Sequence, residues 1–363
     1  MNDKDPELTK HFDELVETQG VVNAVGMLAK RYWGERYFVA NNLKTAKTLA
    51  YKSRTPKTIA AYAVSLRGSG VERVMAELVT MWNHQGYRVV VFTDRPPSEN
   101  DFNIPGNVRH VVLRHFKTRN KENYIDRARK LSEVLKQESV DIMVYHRWAS
   151  PIALWDELIC KANGVAFVLH THSNMPNPNM KNAQFLPIIS AYILADAVIA
   201  LTKTDKLFWS HYNDNVFHVY NPVTDALKDW PVPSLESKNI IVVGRIADQK
   251  RPRDAVDIMS FVTKKIPNAH LHFVGTTTSE EEMEKFKAYI AEKNLVDNVT
   301  IHGWQNDVKP FLEVRHYIFK PLHSKGFPLH CWRAKWPVYH VLCTTSRIFL
   351  LLKAIVGSKQ SNH

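Results

Sequence analysis

The sequence predicts an α/β fold: two doubly wound, Rossmann-like domains, an N-terminal helical extension, and a second domain that is incomplete. Three observations carry this. From Lys57 onward, short apolar runs of strand length alternate with amphipathic stretches of helix length. The alternation stops over residues 219–238, which hold three prolines and little periodicity. It then restarts at Asn239 with the same rhythm. Apolar strands separated by helices indicate a parallel sheet covered on both faces.

Residues 1–55 read as helix, because "HFDELVETQGVVNAVGMLAKRYW" spaces its apolar residues by three and four. Lacking strands of its own, this stretch is expected to pack on the next domain, with "SRTPK" (53–57) as the boundary. The first domain, 56–218, opens with strand "TIAAYAVSL", helix "GVERVMAELVTMWNHQG" and strand "YRVVVFTD". It continues with strand "VRHVVL", helix "YIDRARKLSEVLKQES", strand "VDIMVYH" and a helix near "SPIALWDELICKANG". Strand "VAFVLH", helix "IISAYILAD" and strand "AVIAL" complete it. Residues 219–238 read as the interdomain linker. The second domain, 239–329, runs strand "NIIVVG", helix "RPRDAVDIMSFVTKKI", strand "AHLHFVG", helix "SEEEMEKFKAYIAEKN" and strand "NVTIHG". Two such domains are expected to turn their strand C-termini toward one cleft, the usual ligand position for these sheets.

The net charge of +12 suggests a phosphate-backbone partner until it is located. Residues 314–363 hold eight of the 48 Lys and Arg and none of the 36 Asp and Glu, so the remainder carries only +4. A nucleic-acid surface needs its cations on a folded face, and this distribution argues against one. Cys160, Cys331 and Cys343 have neither metal-ligand spacing nor an even count, which implies a reduced, cytoplasmic setting. The charged start MNDKDPELTK lacks a signal-like apolar region. The longest apolar run, "IFLLLKAIVG", is interrupted by Lys353 and falls short of the roughly 20 residues that span a bilayer.

Four segments can carry chemistry. In "IIVVGRIADQKRP" (240–252) a strand ends at Gly244, Arg245 and Lys250 follow, and Pro252 stands where a helix should begin. Two cations beside a helix N-terminus suit a diphosphate. In "SLRGSGVERVMAEL" (65–78), Gly68 and Gly70 allow a ligand to approach the backbone ahead of a helix N-terminus. "VLHTHSNMP" (168–176) ends a strand with His170 and His172. The pair is expected on opposite faces of the chain, and no metal site is expected there. In "VYNPVTDAL" (219–227), Asn221 and Pro222 read as hinge.

"VVGRIADQKRPRDAVD" resembles the donor-site signature of the retaining GT-B glycosyltransferases of family 4. The resemblance covers about residues 57–329 and implies that Arg245 and Lys250 bind a nucleotide sugar's diphosphate and stabilise charge on the leaving nucleotide. The glycine loop resembles the family's first-strand "GG-x-ER" stretch, with Glu72 and Arg73 matching. His170 best matches the histidine that lines the family's sugar pocket, and His172 is the second choice; these two are the candidate catalytic residues. The resemblance implies a UDP-sugar or other NDP-sugar donor, no cofactor, and no metal. It implies a glycan or lipid-linked acceptor, and a protein working in the cytoplasm or at the inner membrane face through peripheral contact.

One segment departs from the pattern. The family places two glutamates, seven residues apart, around a G-F-P-L stretch. Here "KGFPLHCWRAKW" keeps Gly326, Phe327, Pro328 and Leu329 but puts Lys325 and Arg333 at the carboxylate positions. Read one base earlier from His330, the pairs His–Cys and Cys–Trp both force leucine, and Trp–Pro forces alanine. Trp–Arg permits glutamate, and the shifted text "LLESKMAGLPC" continues the family motif. Residues 330–363 are therefore expected to be a frameshifted tail that leaves the chain truncated. The shift accounts neither for Lys325 nor for "VRHYIFKPLH" (314–323). Three functions follow: a retaining sugar transferase, a non-catalytic remnant of one, and a GT-B sugar-nucleotide epimerase.

Overall fold

The computed structural model describes residues 14, 20, 23–25, 56–113, 124–172, 182–222, 238–305, 307–313, 317–319 and 340–342. The chain divides into two compact units, Met1–Pro222 and Val223–His363.

The first unit runs β1 (Thr58–Ala63), α1 (Gly70–His84), β2 (Arg88–Thr93), β3 (Arg109–Val112), α2 (Tyr124–Gln137) and β4 (Ile142–Tyr145). It continues with α3 (Ile152–Ala162), β5 (Ala166–His170), α4 (Asn182–Leu194), β6 (Ala197–Ala200), α5 (Lys203–Trp209) and β7 (Val216–His218). Its seven-stranded sheet has the order β3-β2-β1-β4-β5-β6-β7, with every pairing parallel. All six residues of β1 are buried, as expected of a central strand covered on both faces. The two-residue strand period divides them: Ala60 and Tyr62 join one apolar cluster, Ala61 and Ala63 the other. Val90 and Phe92 follow the first pair, Val89 and Val91 the second. In α1 the buried residues Val74, Met75, Ala76 and Val79 make one face, so the helix covers the sheet with that stripe. Within the N-terminal stretch, Asn23–Val25 is helical, and Ala24 and Val25 are buried in the first cluster.

A polar network pins two helices of the first unit to its sheet. Arg127 on α2 donates to Asp94 at 2.5 Å and to both carboxylate oxygens of Asp156 on α3, at 3.1 and 2.7 Å. Tyr124 and Tyr145 also donate to Asp156, at 3.1 and 2.7 Å. Arg147, following β4, reaches the other oxygen of Asp94 at 2.9 Å. A buried ion pair is tolerable when its hydrogen-bonding capacity is filled in this way.

The second unit runs β8 (Asn239–Val243), α6 (Pro252–Val262), β9 (His270–Val274), α7 (Glu280–Glu292), β10 (Val299–Ile301), α8 (Lys309–Glu313), β11 (Tyr317–Phe319) and β12 (His340–Leu342). The order is β10-β9-β8-β11-β12, again parallel throughout. Alternation recurs here: Ile240 and Val242 enter one cluster, while Ile241 and Val243 belong to the other.

Several elements escaped the sequence reading. β7 and β11 have three residues each and α5 seven, too few for a period to register. The "VRHYIFKPLH" stretch that had no assignment contains β11, and the expected frameshifted tail contains β12, which pairs with β11 from Tyr317↔His340 to Phe319↔Leu342. Among the described residues, no helix is long and apolar enough to cross a membrane.

Candidate functional site

In an open parallel sheet, ligands gather at the carboxyl ends of strands where the strand order reverses. In the first unit the reversal lies between β1 and β4, and in the second between β8 and β11. Gly68 and Gly70 follow β1, and Gly244, Arg245 and Lys250 follow β8, at these two reversals, while His170 ends β5, one strand beyond the first.

In the first unit, β1 leads into the glycine loop. Gly68 has φ +100°, a conformation that side chains rarely adopt, and a Cβ added at Gly68 or Gly70 would meet nothing within 4 Å. Ser69 caps α1: its hydroxyl accepts from the Val71 N–H at 3.2 Å and donates to Glu72. Glu72 is thus the partner in a capping box, which ties it to the helix end. Burial raises its carboxyl above the ordinary range.

The ends of β4 and β5 bring three histidines together. Ring centroids of His170 and His172 are 4.4 Å apart, and those of His146 lie 5.0 and 5.1 Å from them. The expectation that His170 and His172 face apart is wrong. Alternate residues of an extended chain share a face, and the chain keeps the imidazoles of His170, which ends β5, and His172, two residues on, on one side. His146 was not singled out, although it closes a quoted strand; only the pairing of β4 with β5 reveals it as their neighbour. His146 Nδ1 and His172 Nε2 are 2.9 Å apart. His146 and His170 are 2 % and 3 % exposed. Nε2 of His146 and both ring nitrogens of His170 are buried without a hydrogen-bond partner. Burial lowers His170 to about 4 and His146 well below its ordinary value, so both imidazoles are neutral at pH 7.

In the second unit, β8 ends at Gly244, whose φ is +143°. Gly275, after β9, has φ +152°, and a Cβ there would lie 2.0 Å from the Gly244 carbonyl oxygen. Gly275 also bridges to Gly303 beyond β10. Three neighbouring strand ends are therefore lined by glycine backbone; only the first had been recognised. Arg245 is exposed and Lys250 half-buried. A short 3₁₀ turn, Asp248–Lys250, carries the chain to Arg251, which adopts the left-handed conformation (φ 46°) before Pro252 opens α6. The helix begins at the expected proline. Across this edge, Ser279 caps α7 and Glu282 accepts from the Thr278 N–H at 3.1 Å. Hydrogen bonds from Thr278 hold the Glu282 carboxyl below the ordinary range, with Arg245 among the cations that contribute. Trp304, 49 % exposed, follows β10 at the same edge.

Asn221 and Pro222 are the last residues of the first unit. Lys325, Gly326, Phe327, Pro328, Leu329 and Arg333 lie outside the described residues.

Comparison with known proteins agrees with this arrangement. The Glycosyltransferase Family 4 profile matches residues 68–227, and the Glycosyl transferases group 1 profile matches residues 227–335. An uncharacterized glycosyltransferase of Haemophilus influenzae is 24 % identical over 262 residues, covering 72 % of each chain. Among solved structures, WaaG, a glycosyltransferase involved in lipopolysaccharide biosynthesis, superposes with a TM-score of 0.63 at 12 % identity, over 83 % of this chain and 91 % of that one. HepE of Anabaena, solved with UDP-glucose, gives 0.61 at 11 % identity, over 81 % and 82 %. Those structures share the fold. With the two profiles joined end to end across residues 68–335 and the fold to match, the chain belongs to the family 4, group 1 glycosyltransferases of the GT-B class.

Proposed function

We propose that this glycosyltransferase takes its sugar from a UDP-sugar or related nucleotide-diphosphate sugar and transfers it, with retention, to a hydroxyl of a cell-surface glycan or lipid-linked acceptor. The observation that carries the reading is the β8–α6 segment. A glycine strand end, an exposed Arg245, Lys250 and a helix N-terminus follow one another at the switch point of the second sheet. An anion gains there from free backbone N–H groups and from two cations. When the glycosidic bond breaks, negative charge moves onto the diphosphate, and fixed cations stabilise that change more than they stabilise the ground state. HepE, a fold neighbour, was solved with UDP-glucose, which supports a nucleotide-sugar donor. The first unit supplies the acceptor side, with the Gly68–Gly70 loop for backbone approach, the neutral imidazole of His170 at the end of β5 and His172 just beyond it.

The test is calorimetry with UDP and a panel of NDP-sugars. Arg245→Ala and Lys250→Ala are each expected to weaken UDP binding by about 10- to 100-fold, the loss of one charge-assisted hydrogen bond of roughly 1.5–3 kcal/mol. Unchanged affinity in both variants would end the donor reading.

A second reading is favoured by Lys325 and Arg333, which replace both carboxylates the family uses. A chain of this kind binds a nucleotide sugar without turning it over. Radiolabelled NDP-sugars supplied with glycan acceptors separate the two, and release of free epimerised sugar without acceptor identifies an epimerase instead.

A further inference from the structure

The three-histidine cluster at the β4 and β5 ends has a property that sugar binding does not require. One ring nitrogen from each of His146, His170 and His172 lies within 4.8 Å of the other two. Three ring nitrogens in this cluster are buried without any hydrogen-bond partner: Nε2 of His146 and both of His170. A buried polar atom left unpaired is uncommon in a native protein, and three of them on converging imidazoles call for a common explanation. One group that can meet all three converging rings at once is an electron-pair acceptor placed between them, and a metal ion is such an acceptor.

A second histidine group provides the contrast. On β9 and beyond β10, His270 bonds Thr300 at 2.8 Å, and His272 bonds His302 at 3.0 Å and Asn239 at 3.4 Å. Those rings are similarly close, but the protein itself occupies their nitrogens.

We propose that His146, His170 and His172 form a binding site for a zinc-class divalent transition ion at the carboxyl edge of the first sheet. Imidazole nitrogen is the donor such ions prefer, and three histidines leave a four-coordinate ion one open position. Bonds of about 2.0–2.1 Å put tetrahedral ligand nitrogens roughly 3.3 Å apart. The His146–His172 pair, at 2.9 Å, is already at that scale, and the set of three nitrogens spans no more than 4.8 Å. Each imidazole would offer the ion one lone pair and keep its single N–H on the other ring nitrogen, so that the hydrogen bond between His146 and His172 gives way through a change of tautomer or ring rotation. The proposal rests on the first unit alone. It replaces the expectation of a metal-free edge, and it is independent of the donor reading, which concerns the second unit.

The experiment uses the full chain, stripped with a chelator and dialysed. Calorimetric titration with Zn²⁺ is expected to give one saturable site per chain. Co²⁺ is expected to develop the strong visible bands of a four- or five-coordinate nitrogen-rich site, displaced by Zn²⁺ and untouched by Mg²⁺, which prefers oxygen ligands. His146→Asn, His170→Asn and His172→Asn should each weaken Zn²⁺ binding at least tenfold, whereas His272→Asn should not. Should the buried variants fail to fold, crystals of the unaltered protein soaked in Zn²⁺ decide the matter through the position of the anomalous peak. A peak among the three rings supports the site. A peak elsewhere, no saturable uptake, or loss of uptake on His272→Asn overturns it.

Discussion

Gly275 leaves no room for a side chain. Its φ of +152° disfavours one, and an added Cβ would stand 2.0 Å from the Gly244 carbonyl oxygen. Gly275→Ala must push β9 away from the loop that carries Arg245. It is expected to cost about 2 kcal/mol or more in urea unfolding and to weaken UDP binding with it. Gly70 differs, since it opens α1 with free space around it. Gly70→Ala should stabilise the fold by about 0.4–1 kcal/mol. A fall in transfer activity despite that gain would identify a glycine kept for ligand approach. Glu157 is the costly residue of the first core: it is fully buried and neither carboxylate oxygen has a partner. Burial raises its pKa well above the ordinary value, with Lys161 opposing and Asp196 reinforcing the shift. The folded state therefore holds a proton that the unfolded chain releases above about pH 4.3, so this residue's contribution to stability declines as pH rises from there toward the folded pKa. Glu157→Met should stabilise the protein at pH 7 by about 1–3 kcal/mol, and by less at pH 5, in paired urea titrations.

At the scale of elements, helices are held by caps and by buried charge. Ser279 caps α7, and Ser279→Ala should cost about 1 kcal/mol. The same substitution loosens the turn that holds Glu282, whose carboxyl feels the Arg245 charge, so on the proposed donor reading UDP affinity should fall as well. Helices α2 and α3 are joined to the sheet through Arg127, Asp94 and Asp156, all fully buried. Arg127→Met leaves two carboxylates without their central cation and should cost about 3–5 kcal/mol, read as a lowered unfolding midpoint. The tyrosines on this network, Tyr124 and Tyr145, remain protonated because burial and the Asp156 charge raise both well above their ordinary values. Neither one is a general base.

At the scale of the molecule, each unit buries its own core on both faces of its own sheet. Leu271, fully buried in the second unit, tests this division. Leu271→Ala should cost about 2–5 kcal/mol and raise amide exchange mainly within Val223–His363, as expected where cooperative units open separately. Exchange that rose equally in both units would show a single cooperative fold.

Periodicity and punctuation made most of the fold legible. β1, β2, β4, β5 and β8 are nearly continuous apolar runs, and their intervening helices carry regular stripes, because burial on two faces leaves strands little freedom in composition. β7, β11 and α5 were not legible, since three to seven residues cannot express a period. The β8–α6 segment was readable because Gly244, Arg245, Lys250 and Pro252 are neighbours along the chain, so local geometry sets their positions. The histidine cluster was not. His146 is 24 residues from His170, and only parallel pairing of β4 with β5 sets their ends side by side. Sequence by itself determined the family, the α/β rhythm and the cations of the second sheet edge. Tertiary structure decided which distant side chains meet, because strand order, which no local pattern encodes, chooses the neighbours at a sheet edge.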